Sequence, residues 1–340
     1  MNTMKKILIS MLMLVVSLSL SAQGRFVIQN GENSQVYTTF QNAFAALVDG
    51  DTLYIPGGTY IIGDINIDKK VTMVGAGHYP AHTTATGLTI LQGNIRFITG
   101  SDYSHIQGFY LTGGIQLGTS SSNQAVSYIT ISRSNLNGIK LYASSPATAQ
   151  NIHITENVIR GSIDGGNAQH VLIEKNIVTN IYNFNNNVLI SNNIVLQTNG
   201  DTFQHMYTCV FQNNVILHNG SYFLYASSSN TFLNNLFVKT ITFSPPDYGS
   251  GNIISQPLAS IFVNYPGGAF SYDFDFHLQE TSPGNNAGTD GFDIGIYGTA
   301  VPYKEGAVPF NPHITSQEVS PGTNEAGEIE VNIQVEAQNR

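Results

Sequence analysis

Lys140 and Asp164 are the residues of this chain best suited to move a proton together, and His205 is a third candidate on the same side of the repeat that carries them. Removing the proton beside a uronate carboxylate requires a cation to neutralise the developing charge and a base such as Lys, Arg, His or Tyr. Lys140 supplies the cation, and with Asp164 forms a base–acid pair. The competing role for the two is an ordinary surface ion pair. The other cations of the middle of the chain are Arg133, Arg160 and Lys175. Arg133 precedes a turn and Arg160 follows one, which aims both away from Lys140. Glycoside hydrolysis would instead need two or three carboxylates at a fixed separation, and the chain offers no such set. His153, His170 and His218 fall at strand or turn positions and read as structural.

The element that must hold these side chains is a phrase, apolar–x–apolar–x–x–Asn–apolar. Clear copies occupy 152–158, 172–177, 189–194 and 210–215, and 232–236 continues the series. Two earlier copies carry Ser134 and Phe109 in the Asn slot. The slot falls at 109, 134, 157, 176, 193, 214 and 235, giving spacings of 25, 23, 19, 17, 21 and 21. A period of this length indicates a solenoid. Within each copy, apolar and polar residues alternate with the period of a strand buried on one face. The chain is therefore expected to be all-β, a single-stranded right-handed parallel β-helix with two or three strands per coil, each paired to its equivalent ~4.8 Å away. The recurrent Asn157, Asn176, Asn193, Asn214 and Asn235 are expected at turns in left-handed or bridge backbone, with their amides stacked from coil to coil.

A further strand lies between copies, at 114–117, 138–142, 162–165, 180–184, 202–205 and 221–225. Alternation turns Ile115, Ile139, Ile163, Ile181, Phe203 and Tyr222 inward. It turns Gln116, Lys140, Asp164, Tyr182, Gln204 and Phe223 outward, with Tyr142, Phe184 and Tyr225 running alongside. Rings stack on sugar faces while amides and charges bond hydroxyls. Gln116, Tyr142, Tyr182, Phe184, Gln204 and Tyr225 are thus the candidate substrate-binding residues. The alternative is a solvated sheet with a stabilising aromatic stack.

Charge narrows the partners. The 340 residues include 13 Lys and Arg against 22 Asp and Glu, a net charge of −9, which argues against nucleic acid. Residues 1–22 read as a cleaved Sec-type signal peptide: Lys5-Lys6, an apolar run from Ile7 to about Leu20, and Ser21-Ala22-Gln23 as the small-residue cleavage site. That run is short for a membrane span, and no other segment could cross one, so a secreted, extracellular or cell-surface location is expected. Cys209 is the sole cysteine; it cannot form an intramolecular disulfide and reads as a small buried apolar residue.

Residues 38–48 read as an N-terminal capping helix. Thr38 and Gln41 stand at capping-box spacing, and Phe40, Ala43, Phe44 and Leu47 form one apolar stripe. The helix followed by Gly50-Asp51-Thr52-Leu53-Tyr54-Ile55-Pro56-Gly57-Gly58-Thr59-Tyr60 resembles the opening of secreted proteins in the pectin-lyase-like β-helix superfamily. So does Val74-Gly75-Ala76-Gly77, and the stretches Phe276-His277-Leu278, Ser282-Pro283-Gly284 and 288–298 resemble a closing segment found in such proteins. The resemblance covers about residues 24 to 300. It implies a β-helix over 23–300 and a polysaccharide groove on the third sheet, in a superfamily that spans lyases, hydrolases, esterases and adhesins. The Asn-Thr-Asp, Asp-Asp and Gly-His-Gly motifs of the resembling hydrolases are not present, and the two Asp and one Arg of the esterases cannot be assembled. Asp290 and Asp293 are candidates for Ca²⁺, although Gly288, Gly291, Gly295 and Gly298 favour a tight turn in which the aspartates bond to backbone. Residues 301–340, broken by Pro302, Pro309, Pro312 and Pro321 and ending in the alternating stretch 328–335, are expected to form an extended or β appendage, packed on the last coils or standing as a small unit.

Two functions follow as expectations. One is a secreted β-helix that binds polysaccharide or serves as an extracellular component. The alternative is a polysaccharide-degrading enzyme, a uronate lyase with Lys140 in its groove. They are separated by whether Lys140, Arg133 or Arg160 converges with a carboxylate or histidine in one cleft.

Overall fold

The computed structural model describes residues 24–119, 125–142, 149–166, 168–196, 203–220, 222–304, 306 and 312–337; the expected signal peptide lies outside them. The chain is an all-β solenoid of about nine turns with parallel coils, with one α-helix among the described residues and two small two-stranded antiparallel sheets, 262–264 with 275–278 and one near the C-terminus. The middle coils each contribute to three sheets. The ladder sheet precedes the Asn slot and runs through 51–55, 71–75, 105–107, 130–132, 152–155, 171–174, 188–191, 209–212, 231–233 and 248–250. A second sheet follows the slot, and a third carries Lys140. Long strands such as Ile177–Ser191 serve all three in one pass.

The slot residues hold the coils together. Asn193 Oδ1 accepts from Asn176 N and Nδ2, at 2.9 and 3.1 Å. Its own Nδ2 donates to Ile173 O, Ser191 O and Asn214 Oδ1. The pattern repeats from Asn157 through Asn176, Asn193, Asn214 and Asn235 to a sixth rung, Asn252. One expectation is corrected. The left-handed residue is the one before the slot: Gly108, Arg133, Glu156, Lys175, Asn192, Asn213, Asn234 and Gly251 all have φ between 47° and 83°. The slot side chain points inward, so its amide satisfies buried backbone groups rather than tolerating a strained turn.

The N-terminal end is covered by α1, Phe40–Ala46, whose N-cap is Thr39 rather than Thr38: Thr39 Oγ1 accepts from Asn42 N at 3.3 Å. Leu47 has left the helix, with ψ 136°. Phe40, Ala43 and Leu47 are buried over the core. Beside the helix, Phe26–Asn30 pairs antiparallel with Asp51–Ile55 and shields the first coil's edge.

Residues 258–303 do not close the far end alone. They run back along the solenoid as a belt over the second sheet. Val158, Ile177, Ile194, Val215 and Leu236 face outward there and form a second core with Ile261, Phe262, Tyr265, Phe276, Ile294, Ile296 and Tyr303 of the belt. The left-handed column fastens it. Asn234 Nδ2 donates to Ala287 O, Asn192 Nδ2 to Gly295 O and Gly298 O, and Lys175 Nζ to Val301 O. A Cβ on Gly298 would lie 1.5 Å from Asp293 O, so no other residue fits that turn. The belt brings Pro312 and Ile314 beside Arg25, Tyr54 and Val74 of the first coils. The appendage, an antiparallel hairpin of His313–Thr323 and Ile329–Glu336, thus starts at the N-terminal end and not on the last coils.

Candidate functional site

On the third sheet the outward residues align in one column: Asn66, Arg96, Gln116, Lys140, Asp164, Tyr182, Gln204 and Tyr225, each paired with the next. Beneath them Ile115, Ile139, Ile163, Ile181 and Phe203 are buried, as alternation requires. Arg96 was not read from the sequence as part of this face. It donates from Nε to Gln116 Oε1 at 3.1 Å, which orients the amide between two cations. Lys140 is exposed, with Nζ 5.8 Å from the centre of the Tyr142 ring. A shallow cleft beside it is floored by Gly114, Gly138 and Gly161 and rimmed by Asn94, Gln116, Lys140 and Ser162. A Cβ on Gly161 would come within 2.5 Å of Asn137 O, so the floor is bare backbone.

Asp164 sits next to Lys140 in register, but its Oδ1 accepts from Asn183 Nδ2 at 2.9 Å and from Gly166 N at 3.4 Å. Its carboxylate is a corner brace. Asn183 and His205 occupy the same corner in successive coils, both left-handed with φ 61° and 52°. His205 is exposed there, its ring 6.3 Å from that of Tyr225.

Two placements differ from expectation. Phe184 is fully buried: the left-handed Asn183 turns the chain so that the next side chain enters the core. It belongs to no sugar surface. In the following coil Phe203 pairs with Leu224 and Gln204 with Tyr225, so Tyr225 stands in the column itself. Tyr222, expected inward, is 60% exposed, whereas Phe223 packs among Phe203, Phe232 and Phe237. Tyr222-Phe223-Leu224-Tyr225 is apolar at every position, so periodicity could not set its phase.

The remaining cations lie elsewhere. Arg133 is buried with its Nε and Nη2 each 2.9 Å from Glu156 Oε2. Lys175 Nζ adds a 3.7 Å contact to Glu156 Oε1. Burial lowers the Arg133 pKa, and the Glu156 charge opposes that shift. Arg160 bonds Asn135 Oδ1 and Leu111 O, its guanidinium 4.3 Å over the Tyr110 ring. These groups fasten the belt. Asn135 donates to Tyr272 OH at 2.8 Å, and His78 Nδ1 lies 3.2 Å from the same hydroxyl. On the ladder sheet His153 Nε2 meets Glu174 Oε1 at 2.9 Å. Burial raises the Glu174 pKa, but the His153 hydrogen bond and the Lys175 charge together bring it below the ordinary value. Arg133, Lys140 and Arg160 therefore do not converge. His218 is buried, as is Cys209, whose thiol burial pushes up to about 12. Asp290 Oδ1 accepts from Phe292 N and Asp293 Oδ1 from Asn286 N, the bonds of turn-forming aspartates. Among the described residues no group of three His, Cys, Asp or Glu side chains could hold a metal, and no helix is long and apolar enough to cross a membrane.

His78 gives the belt a measurable acid sensitivity. It is fully buried, and burial, with the Arg160 charge, lowers its pKa from 6.5 to about 3. Between those values the unfolded chain binds a proton that the folded chain does not, so stability falls as pH falls. The slope approaches about 1.4 kcal/mol per pH unit for one group. Urea titrations at pH 7, 6, 5 and 4 are expected to show a shallower loss for His78→Gln than for the wild type. Parallel curves would show that His78 titrates alike in the folded and unfolded chain.

No family model and no curated protein matches the chain.

Proposed function

We propose that this protein is exported and binds an acidic polysaccharide along the third sheet, as a non-catalytic component of the extracellular or surface space. The observation that carries the reading is the column in which Arg96 and Lys140 flank Gln116, two coils and so about 10 Å apart. That interval suits carboxylates on alternate sugars of an extended chain. Asn94 and Ser162 offer hydroxyl partners at the rim, while Tyr182 and Tyr225, two coils apart, offer ring surfaces. The likeness of 24–300 to secreted pectin-lyase-like proteins and the leader-like character of 1–22 support export and a polysaccharide partner. Against lyase chemistry stands the engagement of Asp164 by Asn183 and the dispersal of Arg133 and Arg160 to the belt.

The test is calorimetric titration with oligogalacturonate, oligoalginate and chondroitin oligosaccharides, with absorbance at 235 nm followed in the same samples. Binding of at least one probe is expected, weakened by salt and reduced about tenfold, or ~1.4 kcal/mol, by Arg96→Ala or Lys140→Ala. Binding unchanged in both variants would remove the groove. A Lys140-dependent rise at 235 nm would replace this reading with the lyase.

A further inference from the structure

Tyr103 and Tyr128 stand at a different corner, where the chain enters the ladder sheet. Their rings stack 4.6 Å apart and 4° from parallel. They are 59% and 48% exposed, so the pair contributes little to any core. Both have left-handed backbone, with φ 64° and 58°. Bulky L-residues avoid this region, whereas Asn enters it with little penalty. The corner itself does not call for an aromatic. Tyr103 N bonds Ser127 O and Tyr128 N bonds Gln150 O, so the column continues from Tyr128 to Asn151 and then His170, also left-handed at φ 54° and 52°. Other coils turn the same corner with Thr208 and Ser229. Two exposed, strained tyrosines where Asn, His, Thr and Ser serve elsewhere mark a place where strain is retained for use.

The geometry defines what would fit. The aromatic stack stops at Tyr128, and the next position, one strand spacing of about 4.8 Å further, holds the exposed Asn151. A flat pyranose ring laid on Tyr128 continues the stack by one rung, with its hydroxyls beside Asn151 and His170. Asp102 accepts from Ser127 N, the residue before Tyr128, so a carboxylate stands beside the stack and disfavours an anionic chain, while the exposed Lys70 lies one coil back, in register with Tyr103. On the Tyr128 side Asn151, His170, Thr208 and Ser229 bring no carboxylate and no Lys or Arg. We infer that the Tyr103–Tyr128 corner is a second carbohydrate site, specific for a neutral β-linked pyranose chain and separate from the cationic groove.

The purified protein would be titrated with cellohexaose, xylohexaose and mannohexaose, using saturation-transfer NMR and calorimetry. The wild type is expected to bind at least one of them. Tyr128→Asn is expected to lose that binding by tenfold or more with its urea midpoint kept or raised, because Asn suits the turn. Lys140→Ala is expected to bind the same probe as the wild type, whether or not the groove takes acidic chains. The inference is overturned if the wild type binds none of the three, if Tyr128→Asn binds as well as the wild type, or if Lys140→Ala loses the neutral probe. A fall in the Tyr128→Asn urea midpoint without loss of a bound probe would likewise assign the stack to stability alone.

Discussion

Replacing Asn193 by alanine is expected to destabilise the fold by roughly 3–5 kcal/mol, the upper part of the range for single substitutions. The side chain is fully buried and lies mid-ladder. Its removal leaves Ile173 O and Ser191 O without their donor and Asn176 N without its acceptor. Each buried polar group left unmade costs about 1–3 kcal/mol. Neighbouring rungs cannot relax to replace these bonds, because the amides of Asn176 and Asn214 already donate to Ile154 O and Ile190 O. Urea unfolding checks the result, with the midpoint shifted and the slope kept. Asn193→Asp sharpens the test: it retains an acceptor for Asn176 but sets a carboxylate against two carbonyl oxygens, so its deficit should shrink on mild acidification. A loss below about 1 kcal/mol for Asn193→Ala would show that water takes over the rung.

Glu156→Gln is expected to cost about 3 kcal/mol for a different reason. Arg133 is 1% exposed and its Nε and Nη2 both reach Glu156 Oε2. Neutralising the carboxylate removes the charge that both guanidinium contacts reach, and Lys175 keeps Glu174, 3.9 Å away, but loses the charge of Glu156. Breaking one side of such a pair typically costs 3–5 kcal/mol, whereas replacing both sides by apolar residues is often close to neutral. The double variant Arg133→Met with Glu156→Leu should therefore recover most of the loss. A double-mutant cycle from urea midpoints checks this. Equal, additive losses would mean that the two residues act independently under the belt.

How much of this was legible in the sequence follows from the strength of each local signal. The ladder was legible because one polar residue recurs where the neighbours are apolar. Asn252 escaped because Tyr248-Gly249-Ser250 replaces the apolar phrase before it. The column from Gln116 to Gln204 was legible because Ile115, Ile139, Ile163, Ile181 and Phe203 fix the phase of alternation. Arg96 lay in coils without a clear phrase, although Ile95-Arg96-Phe97 alternates as well as any of the others. Phe184 was misplaced because a single left-handed Asn183 reverses the side of every residue beyond it, and nothing about an Asn announces its φ. The belt left the least trace. Its contacts join residues more than a hundred positions apart, as Asn192 with Gly298 or Asn135 with Tyr272, and its apolar residues read locally as irregular loop. The outward Val158, Ile177, Ile194, Val215 and Leu236 were the available clue, since paired apolar residues after each slot from Asn157 to Asn235 leave one of each pair without a core.

The belt changes how the molecule should respond to force and to time. A plain solenoid unstacks from either end, each coil depending only on its neighbours. Here the belt links far coils to near ones, down to Tyr303 beside Tyr79, so the coils under it must yield together. Pulling on Arg25 and Ile314, which line one pocket at the N-terminal pole, would load the belt before it loaded the stack. Assembly faces the converse constraint: the coils can accumulate in order, but the outward apolar row stays wet until the belt arrives, making its docking the slow, committing event.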